Sequence, residues 1–230
     1  MKILIVAATD LELQPVIKKL TNDFGLTRGE NNLYHAYGFS VMFLESGVGS
    51  MMTAVSLIKT KAPFRFDLWI QIGIAGSFTN ELSIGQVVEV TRECFGDLGI
   101  EQKNGSFVDV FEAGLTRKDL FPFVDGVLIN PLPYTSFPKV NGVTVNRVSG
   151  THDTISASIN KFGADIETME GGGFFYAALL ENIPFCQIRA ISNKVEVRDI
   201  SLWNIPLALE NLSQNLVKIL SIIVKNKPVT

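Results

Sequence analysis

Short runs rich in apolar residues recur along the chain and are separated by polar, glycine-containing segments. Runs of this length are typical of strands that are buried on both faces of a sheet. The pattern also predicts a hairpin around Gly38, formed by residues 33–37 and 40–45. Further strands are predicted over residues 3–8, 68–72, 86–91, 143–149, 164–168 and 185–191.

Several of the segments between these strands have a helical pattern. They predict helices over residues 11–20, with Asp10 as the cap, over residues 50–59 and over residues 172–182. The clearest helix is the last one, because its apolar residues recur at alternating spacings of three and four, which predicts one face packed on the sheet. These residues are Leu202, Ile205, Leu209, Leu212, Leu216, Ile219 and Ile223.

Strands that alternate with helices predict an α/β fold with a mixed or parallel sheet. The length is within the range of one α/β domain, so we expect a single domain over residues 1–230. Residues 96–138 are rich in Phe, Pro and Gly, and we expect long loops with short strands there.

Composition and charge exclude several classes of partner. The formal net charge is −3, with 20 basic and 23 acidic residues and no cluster of Lys and Arg, so we expect no nucleic-acid partner. We find no stretch long and apolar enough to cross a bilayer, and we therefore expect no membrane association. The apolar start of the chain is followed at once by Asp10 and Glu12, which favours a buried first strand over a signal peptide.

The two cysteines, Cys94 and Cys186, lie far apart and lack His or Cys neighbours at the spacing of a metal site. We interpret them as reduced thiols of a cytoplasmic protein, and we expect no bound metal.

Polar side chains follow two of the buried strands at the points where these strands are predicted to end. Glu170 follows residues 164–168, and Ser192 and Asn193 follow residues 185–191. In an open α/β sheet the carboxyl ends of the strands face the ligand crevice. A carboxylate can accept both hydroxyls of a ribose, and an amide can donate to and accept from the edge of a base. This pair therefore predicts a nucleoside site.

Glycine-containing segments lie beside these residues. Residues 46–49 and 73–76 are predicted to be turns at strand ends, where a ligand can approach the backbone closely, and Gly76 is thus a candidate substrate contact. Ordinary tight turns explain each segment equally well. The three glycines at 171–173 follow Glu170 and indicate close approach of a ligand or of a neighbouring backbone.

Glu12 lies just beyond the first strand, near the crevice side of the sheet. It is either a solvated carboxylate that stabilises the dipole of the first helix or a general acid or base, and on position alone the first interpretation is favoured. The second requires partial burial. Arg189 lies in a predicted buried strand, and we expect it to pair with a carboxylate.

The order and spacing of several short motifs resemble those of the nucleoside phosphorylase/nucleosidase superfamily over nearly the whole chain. Within it the chain resembles the hydrolases related to methylthioadenosine/S-adenosylhomocysteine nucleosidase, and especially the futalosine hydrolase branch. The shared motifs are 1–3 with Glu12, 46–49, 73–76, 148–150, Met169-Glu170 and 189–192. The branch is indicated by Ile191-Ser192-Asn193, Arg198-Asp199 and Trp203.

The resemblance implies a single-domain, three-layer phosphorylase/hydrolase-like fold, with a central mixed β-sheet flanked by helices. It implies that Glu12 activates the attacking water, that Met169 and Glu170 contact the ribose, and that no cofactor is needed. It also implies a homo-oligomer that is at least a dimer. Asn193 stands where the methylthioadenosine enzymes have Asp.

That difference has a chemical consequence for the base. A 6-oxopurine presents two acceptors, N7 and O6, whereas adenine presents the acceptor N7 and the donor 6-amino group. An ionised Asp would place an acceptor opposite O6, whereas the amide of Asn193 can donate to N7 or O6. The residues therefore favour a 6-oxopurine nucleoside.

The resemblance adds the substrate futalosine, cleaved to hypoxanthine and dehypoxanthine futalosine in menaquinone biosynthesis. Water is favoured over phosphate because residues 7–10 offer no arginine and because Ile74 stands where phosphorolytic relatives have a hydroxyl. The alternatives are a methylthioadenosine/S-adenosylhomocysteine or aminodeoxyfutalosine nucleosidase and, in a different class, a non-catalytic nucleoside-binding module.

Overall fold

The structure, a computed structural model, describes residues 1–196 and 200–225. Its helices are α1 (Asp10–Phe24), α2 (Ser50–Lys61), α3 (His152–Phe162), α4 (Gly171–Leu180) and α5 (Ile205–Lys225). Its strands are β1 (Lys2–Ala7), β2 (Thr27–Arg28), β3 (Leu33–Ala36), β4 (Phe39–Glu45), β5 (Leu68–Ser77), β6 (Val87–Phe95), β7 (Gly99–Glu101), β8 (Phe107–Asp109), β9 (Leu128–Ile129), β10 (Lys139–Thr144), β11 (Ile166–Thr168) and β12 (Phe185–Lys194).

The central sheet is mixed. Across the described residues its strand order is β11-β10-β6-β12-β5-β1-β4-β3-β2, with β9 paired to β6. Strand β1 is parallel to β4 and β5, and β12 is parallel to β5 but antiparallel to β6. The end of β5 also pairs with β11 in antiparallel fashion. The α/β fold with a central mixed sheet is therefore confirmed.

Strand β1 shows why the apolar runs predict this sheet. Ile3 and Ile5 pack in one hydrophobic cluster with residues of α1 and α5, whereas Leu4 and Val6 pack in a second cluster with residues of α2 and α4. Side chains alternate between the two faces of a strand, so a strand covered by helices on both faces must be apolar throughout. The helices thus form layers above and below the sheet.

Three local predictions are wrong. Residues 73–76 do not form a turn but continue β5, because this segment pairs with β12 on one side and reaches β11 on the other. Strand β10 ends at Thr144, short of the predicted residue 149. Leu202 lies before α5 and is exposed, although most of the predicted apolar stripe from Leu209 onward is buried.

Helix α5 also corrects the expectation about membrane-spanning segments. By length and composition alone, Ile205–Lys225 is long and apolar enough to cross a bilayer. Its buried residues, however, pack in the cluster that covers one face of the sheet, where Leu212 and Leu216 lie together with Ile3 and Ile5. The apolar composition is that of a core helix.

Candidate active site

The Glu12 side chain is held at the start of α1. The N-cap of this helix is Thr9 rather than the predicted Asp10. Oε2 of Glu12 accepts hydrogen bonds from the backbone N–H of Thr9 at 3.3 Å and from its hydroxyl at 3.2 Å, as in a capping box. Oε1 accepts the backbone N–H of Ile74 at 3.0 Å. The residue is only 7% exposed, so the carboxylate caps the helix and is also buried against β5.

Gly73 is required for this arrangement. A Cβ atom there would lie 2.7 Å from Oε1 of Glu12 and would overlap Nη1 of Arg189. The absent side chain thus lets a carboxylate and a guanidinium approach the same point of β5. The glycines of 73–76 make space inside a strand, which replaces their predicted function as a turn.

Glu170 forms the other acidic part of the site. It precedes α4, is buried, and accepts the backbone N–H of Gly49 at 3.1 Å through Oε1. Its Oε2 lies 3.5 Å from Nη2 of Arg189, which confirms that this arginine pairs with a carboxylate. Gly49 caps α2, so the predicted glycine segment at 46–49 does meet Glu170.

Arg189 is 1% exposed and connects the two acidic residues. Its Nη1 donates to the carbonyl oxygen of Ile74 at 3.4 Å, beside the N–H group that Glu12 binds. Its Nε and Nη2 make no hydrogen bond to the residues that the structure describes. The arrangement is therefore a buried cation with unused donors between two carboxylates.

The three glycines after Glu170 allow close packing of neighbouring groups. A Cβ on Gly171 would overlap Oε1 of Glu93, and one on Gly173 would overlap the backbone oxygen of Ser50. The hydroxyl of Ser50 also lies 3.3 Å from the backbone oxygen of Met169, which is partly exposed in the turn before α4. The predicted close approach is thus to backbone at one glycine and to side chains at the others.

A cavity lies at the end of β5, and we call it the Asn193 cavity. Gly76 on β5 pairs with Glu167 on β11 and with Asn193 on β12. A Cβ on Gly76 would overlap Cγ2 of Val195 at 2.6 Å and would lie 3.2 Å from Nδ2 of Asn193, so the glycine lets these two side chains approach β5 closely. The cavity is lined by Gly76, Val148, Ser149, Glu167, Asn193, Lys194, Val195, Glu196 and Trp203.

The amide of Asn193 is buried and has a fixed orientation. The hydroxyl of Ser192 lies 2.7 Å from Oδ1, and Nδ2 donates to the carbonyl oxygen of Lys194 at 2.9 Å. An amide nitrogen carries two protons, so one N–H remains for a ligand. Ser192 is itself buried and does not line the cavity. Of the two branch motifs that follow Asn193, Trp203 lines the cavity, whereas Arg198 and Asp199 lie outside the described residues.

Two further buried carboxyls lie at the site, and sequence analysis missed both. Burial raises the pKa of Glu93 to about 7, against the opposing effects of hydrogen bonds from Gln187 and Thr144 and of the charge of Arg189. Burial likewise raises the pKa of Glu167, against hydrogen bonds from Ser149. Both could have been found in the sequence because each is a glutamate within or beside an apolar strand segment. A carboxyl group is costly to bury without a partner, so such a residue indicates a site.

Comparison with known proteins gives the family. The family model described as the phosphorylase superfamily matches residues 2–225. The chain therefore belongs to the phosphorylase superfamily, and the resemblance noted in its motifs is confirmed.

Individual relatives are more specific. A protein of Acidothermus cellulolyticus named futalosine hydrolase is 31% identical over 216 residues, covering 92% of this chain and 87% of its own. A 5'-methylthioadenosine/S-adenosylhomocysteine nucleosidase of Maridesulfovibrio salexigens is 29% identical, covering 85% of this chain and 87% of its own. The solved structure of a Helicobacter pylori futalosine hydrolase has a TM-score of 0.79 over 96% of this chain and 98% of its own. At 13% identity it shows a common fold alone.

Proposed function

We propose that this protein is an N-ribosyl hydrolase that cleaves futalosine to hypoxanthine and dehypoxanthine futalosine, a step of menaquinone biosynthesis. The relative from Acidothermus cellulolyticus supports the substrate. The observation that carries the proposal is the orientation of Asn193, whose amide retains one N–H for an acceptor on the base.

Glu12 is the general base in this proposal. Its carboxylate is buried beside β5 and faces Arg189 across Gly73. A water molecule held there can pass a proton to Glu12 as its oxygen attacks C1′ of the ribose. The unused N–H groups of Arg189 can hold that oxygen and balance the charge of the two nearby carboxylates.

Glu170 holds the sugar. Its carboxylate can accept the ribose hydroxyls, and its negative charge stabilises the oxocarbenium-like state that develops as the C1′–N9 bond lengthens. The N–H of Gly49 and the guanidinium of Arg189 keep the carboxylate in place. Met169, which precedes Glu170 and is partly exposed, is the second ribose contact in this proposal.

Asn193 acts on the leaving base. As the bond to the sugar breaks, electron density moves onto the purine ring. The free N–H of Asn193 donates to N7 or O6 and stabilises this charge. Gly76, which also lines this cavity, lets the amide lie close to β5. Ser192 acts through Asn193, since its hydroxyl fixes the amide and does not line the cavity.

The contacts of Glu12 support hydrolysis over phosphorolysis. The N–H of Ile74 is occupied by the Glu12 carboxylate, so this donor is not free to bind a phosphate oxygen. A phosphate at this position would also lie against two carboxylates, those of Glu12 and Glu170, with Arg189 as the cation between them.

A second candidate is a methylthioadenosine/S-adenosylhomocysteine or aminodeoxyfutalosine nucleosidase. The Maridesulfovibrio salexigens relative favours it, and the same Glu12 and Glu170 would serve. The amide at Asn193 argues for the 6-oxopurine. A non-catalytic nucleoside-binding module is less well supported, because binding alone does not require Glu12 to be buried beside a cationic group.

We also propose that the protein is a cytoplasmic homo-oligomer. Helix α2 presents exposed apolar side chains at Met51, Met52, Val55 and Ile58, and such a stripe is suited to a contact between copies. The two cysteines are buried and free, which fits a reducing compartment. Size-exclusion chromatography with light scattering gives the mass in solution, and a monomeric mass at micromolar concentration would reject the oligomer.

The proposed reaction is tested by incubating the purified protein with futalosine, with and without inorganic phosphate, and by identifying the products by mass spectrometry. We expect hypoxanthine and dehypoxanthine futalosine at the same rate in both samples. Formation of a sugar 1-phosphate would place the enzyme with the phosphorylases. Release of adenine from methylthioadenosine, with none of hypoxanthine from futalosine, would favour the second candidate.

A further inference from the structure

Glu167 is a buried carboxylate that the proposed reaction leaves without a function. It lies on β11, is 5% exposed, and lines the Asn193 cavity. Removing a carboxylate from water is costly, so its retention in a cavity wall calls for a partner. The residues of the acidic part, Glu12, Arg189 and Glu170, do not supply a hydrogen bond to it.

The strand register places Glu167 and Asn193 on opposite sides of Gly76. Both residues pair with this glycine, one from β11 and the other from β12. Residues directly paired on neighbouring strands point to the same face of a sheet. The two strands are separated by two inter-strand spacings, about 10 Å, and both side chains line the Asn193 cavity.

The carboxylate of Glu167 is fixed by Ser149. The backbone N–H of Ser149 donates to Oε1 at 2.9 Å and lies 3.1 Å from Oε2. Its hydroxyl donates to Oε2 at 2.5 Å. A carboxylate has about four acceptor sites, so capacity remains for one more donor. The cavity thus offers a donor on Asn193 and an oriented acceptor on Glu167.

We propose that Glu167 accepts the N1–H of a 6-oxopurine and that it excludes adenine from this site. In hypoxanthine N1 carries a proton, whereas in adenine N1 is an acceptor. A carboxylate facing N1 therefore stabilises the first base, and it places two acceptors opposite each other with the second. This inference rests on the proposed function, because it assigns the base of the same site.

The first test uses wild-type protein and free bases. We measure Kd by titration calorimetry for hypoxanthine, 1-methylhypoxanthine and adenine. Loss of a hydrogen bond to a charged group corresponds to a factor of about 10 to 100 in affinity. We therefore expect 1-methylhypoxanthine and adenine to bind at least about tenfold more weakly than hypoxanthine. Equal affinity of hypoxanthine and 1-methylhypoxanthine would overturn the inference.

The second test uses Glu167→Gln, with Glu101→Gln as the matched control. Glu101 is an exposed glutamate of β7 that does not line the cavity. The amide introduced at position 167 can donate to N1 of adenine, so we expect hypoxanthine binding to fall by about 10- to 100-fold and adenine binding to be retained or to rise. The control should match the wild type. An unchanged ratio of hypoxanthine to adenine affinity in Glu167→Gln would reject the inference.

These measurements separate the inference from the proposed reaction. Binding of free bases requires no turnover. If the wild type fails to cleave futalosine but binds hypoxanthine more tightly than 1-methylhypoxanthine and adenine, the proposed reaction is rejected and the assignment of Glu167 to N1–H stands. A wild type that cleaves futalosine while Glu167→Gln keeps the wild-type base preference would reject Glu167 alone. If the variant does not fold, as judged by circular dichroism, the wild-type comparison of hypoxanthine with 1-methylhypoxanthine decides.

Discussion

The hydroxyl of Ser192 lies 2.7 Å from Oδ1 of Asn193, and this contact determines which end of the amide is available to a ligand. With Oδ1 occupied and Nδ2 bound to the carbonyl of Lys194, the amide can offer only its second N–H. The preference for a 6-oxopurine thus depends on a hydroxyl that does not itself line the cavity.

Ser192→Ala should weaken this preference while leaving the fold intact. The hydrogen bond from Ser192 stabilises the orientation of the Asn193 amide by about 1 kcal/mol. Its loss should therefore lower kcat/KM for futalosine about fivefold. Steady-state kinetics on the variant measure the effect. Ser213→Ala is the control, because this buried serine of α5 donates to the carbonyl oxygen of Glu210 in its own helix. Equal losses in the two variants would mean that Ser192 does not orient Asn193.

Glu12→Gln should abolish most turnover, because an amide cannot take the proton of water. General-base catalysis contributes about 10²- to 10⁴-fold, so kcat should fall by at least a hundredfold with little change in KM. The glutamine retains the capping contact to Thr9, so α1 should persist. Asp10→Asn, at an exposed residue of the same helical turn, should keep activity. A Glu12→Gln variant with wild-type kcat would remove this residue from the mechanism.

Glu93→Gln should change how stability depends on pH. The pKa of this buried carboxyl is raised from 4.5 to about 7 in the folded protein, so between these pH values the native state holds a proton that the unfolded chain releases. Its contribution to stability is therefore full below pH 4.5 and is lost as pH rises through 7, by about 3 kcal/mol in total.

Glutamine does not titrate, so the Glu93→Gln variant should not show this fall in the free energy of unfolding as the pH rises. Urea unfolding at pH 5 and pH 8 should show a smaller fall in the free energy of unfolding for Glu93→Gln than for the wild type. Parallel curves for the two proteins would mean that Glu93 titrates alike in the folded and unfolded states.

Gly173→Ala should destabilise the protein, because the added Cβ would overlap a backbone oxygen, that of Ser50, which cannot rotate away. Overpacking of this kind costs about 1–3 kcal/mol. Gly150→Ala is the matched control, since nothing lies within 4 Å of a Cβ there. Thermal unfolding should show a lower Tm for Gly173→Ala alone, and equal Tm values would contradict the packing of α4 on α2.

The sheet could be predicted from the sequence because its strands are buried on both faces and are therefore apolar throughout, as β1 shows. Helix α3 was not predicted, because its segment His152–Phe162 is rich in Ser, Thr and Asn, and Ser158 is its one buried residue. The segment 73–76 has the glycine content of a turn. In the structure, however, the space beside Gly73 is occupied by the side chains of Glu12 and Arg189, which are distant in the sequence.

The site was predictable only near the end of a strand, since Glu170 follows β11 and Asn193 lies in the last two residues of β12. Glu170 and Asn193 could be proposed from their positions, and in the structure Glu170 accepts the N–H of Gly49 while Asn193 donates to the carbonyl oxygen of Lys194. The surroundings of Arg189, Glu93 and Glu167 depend on which strands become neighbours. The pairing of β5 with both β11 and β12 determines these contacts, and no local pattern encodes it.

The most direct measurement is kcat/KM for futalosine and for its 6-amino counterpart, on the wild type and on Asn193→Asp. An ionised carboxylate at position 193 would face O6 of the base, so that two buried acceptors lie opposite each other. This costs about 1–3 kcal/mol, or about five- to a hundred-fold in kcat/KM for futalosine. We predict that the wild type prefers futalosine and that Asn193→Asp narrows or reverses this preference. A ratio between the two substrates that is the same in both proteins would contradict the assignment of Asn193 to the base.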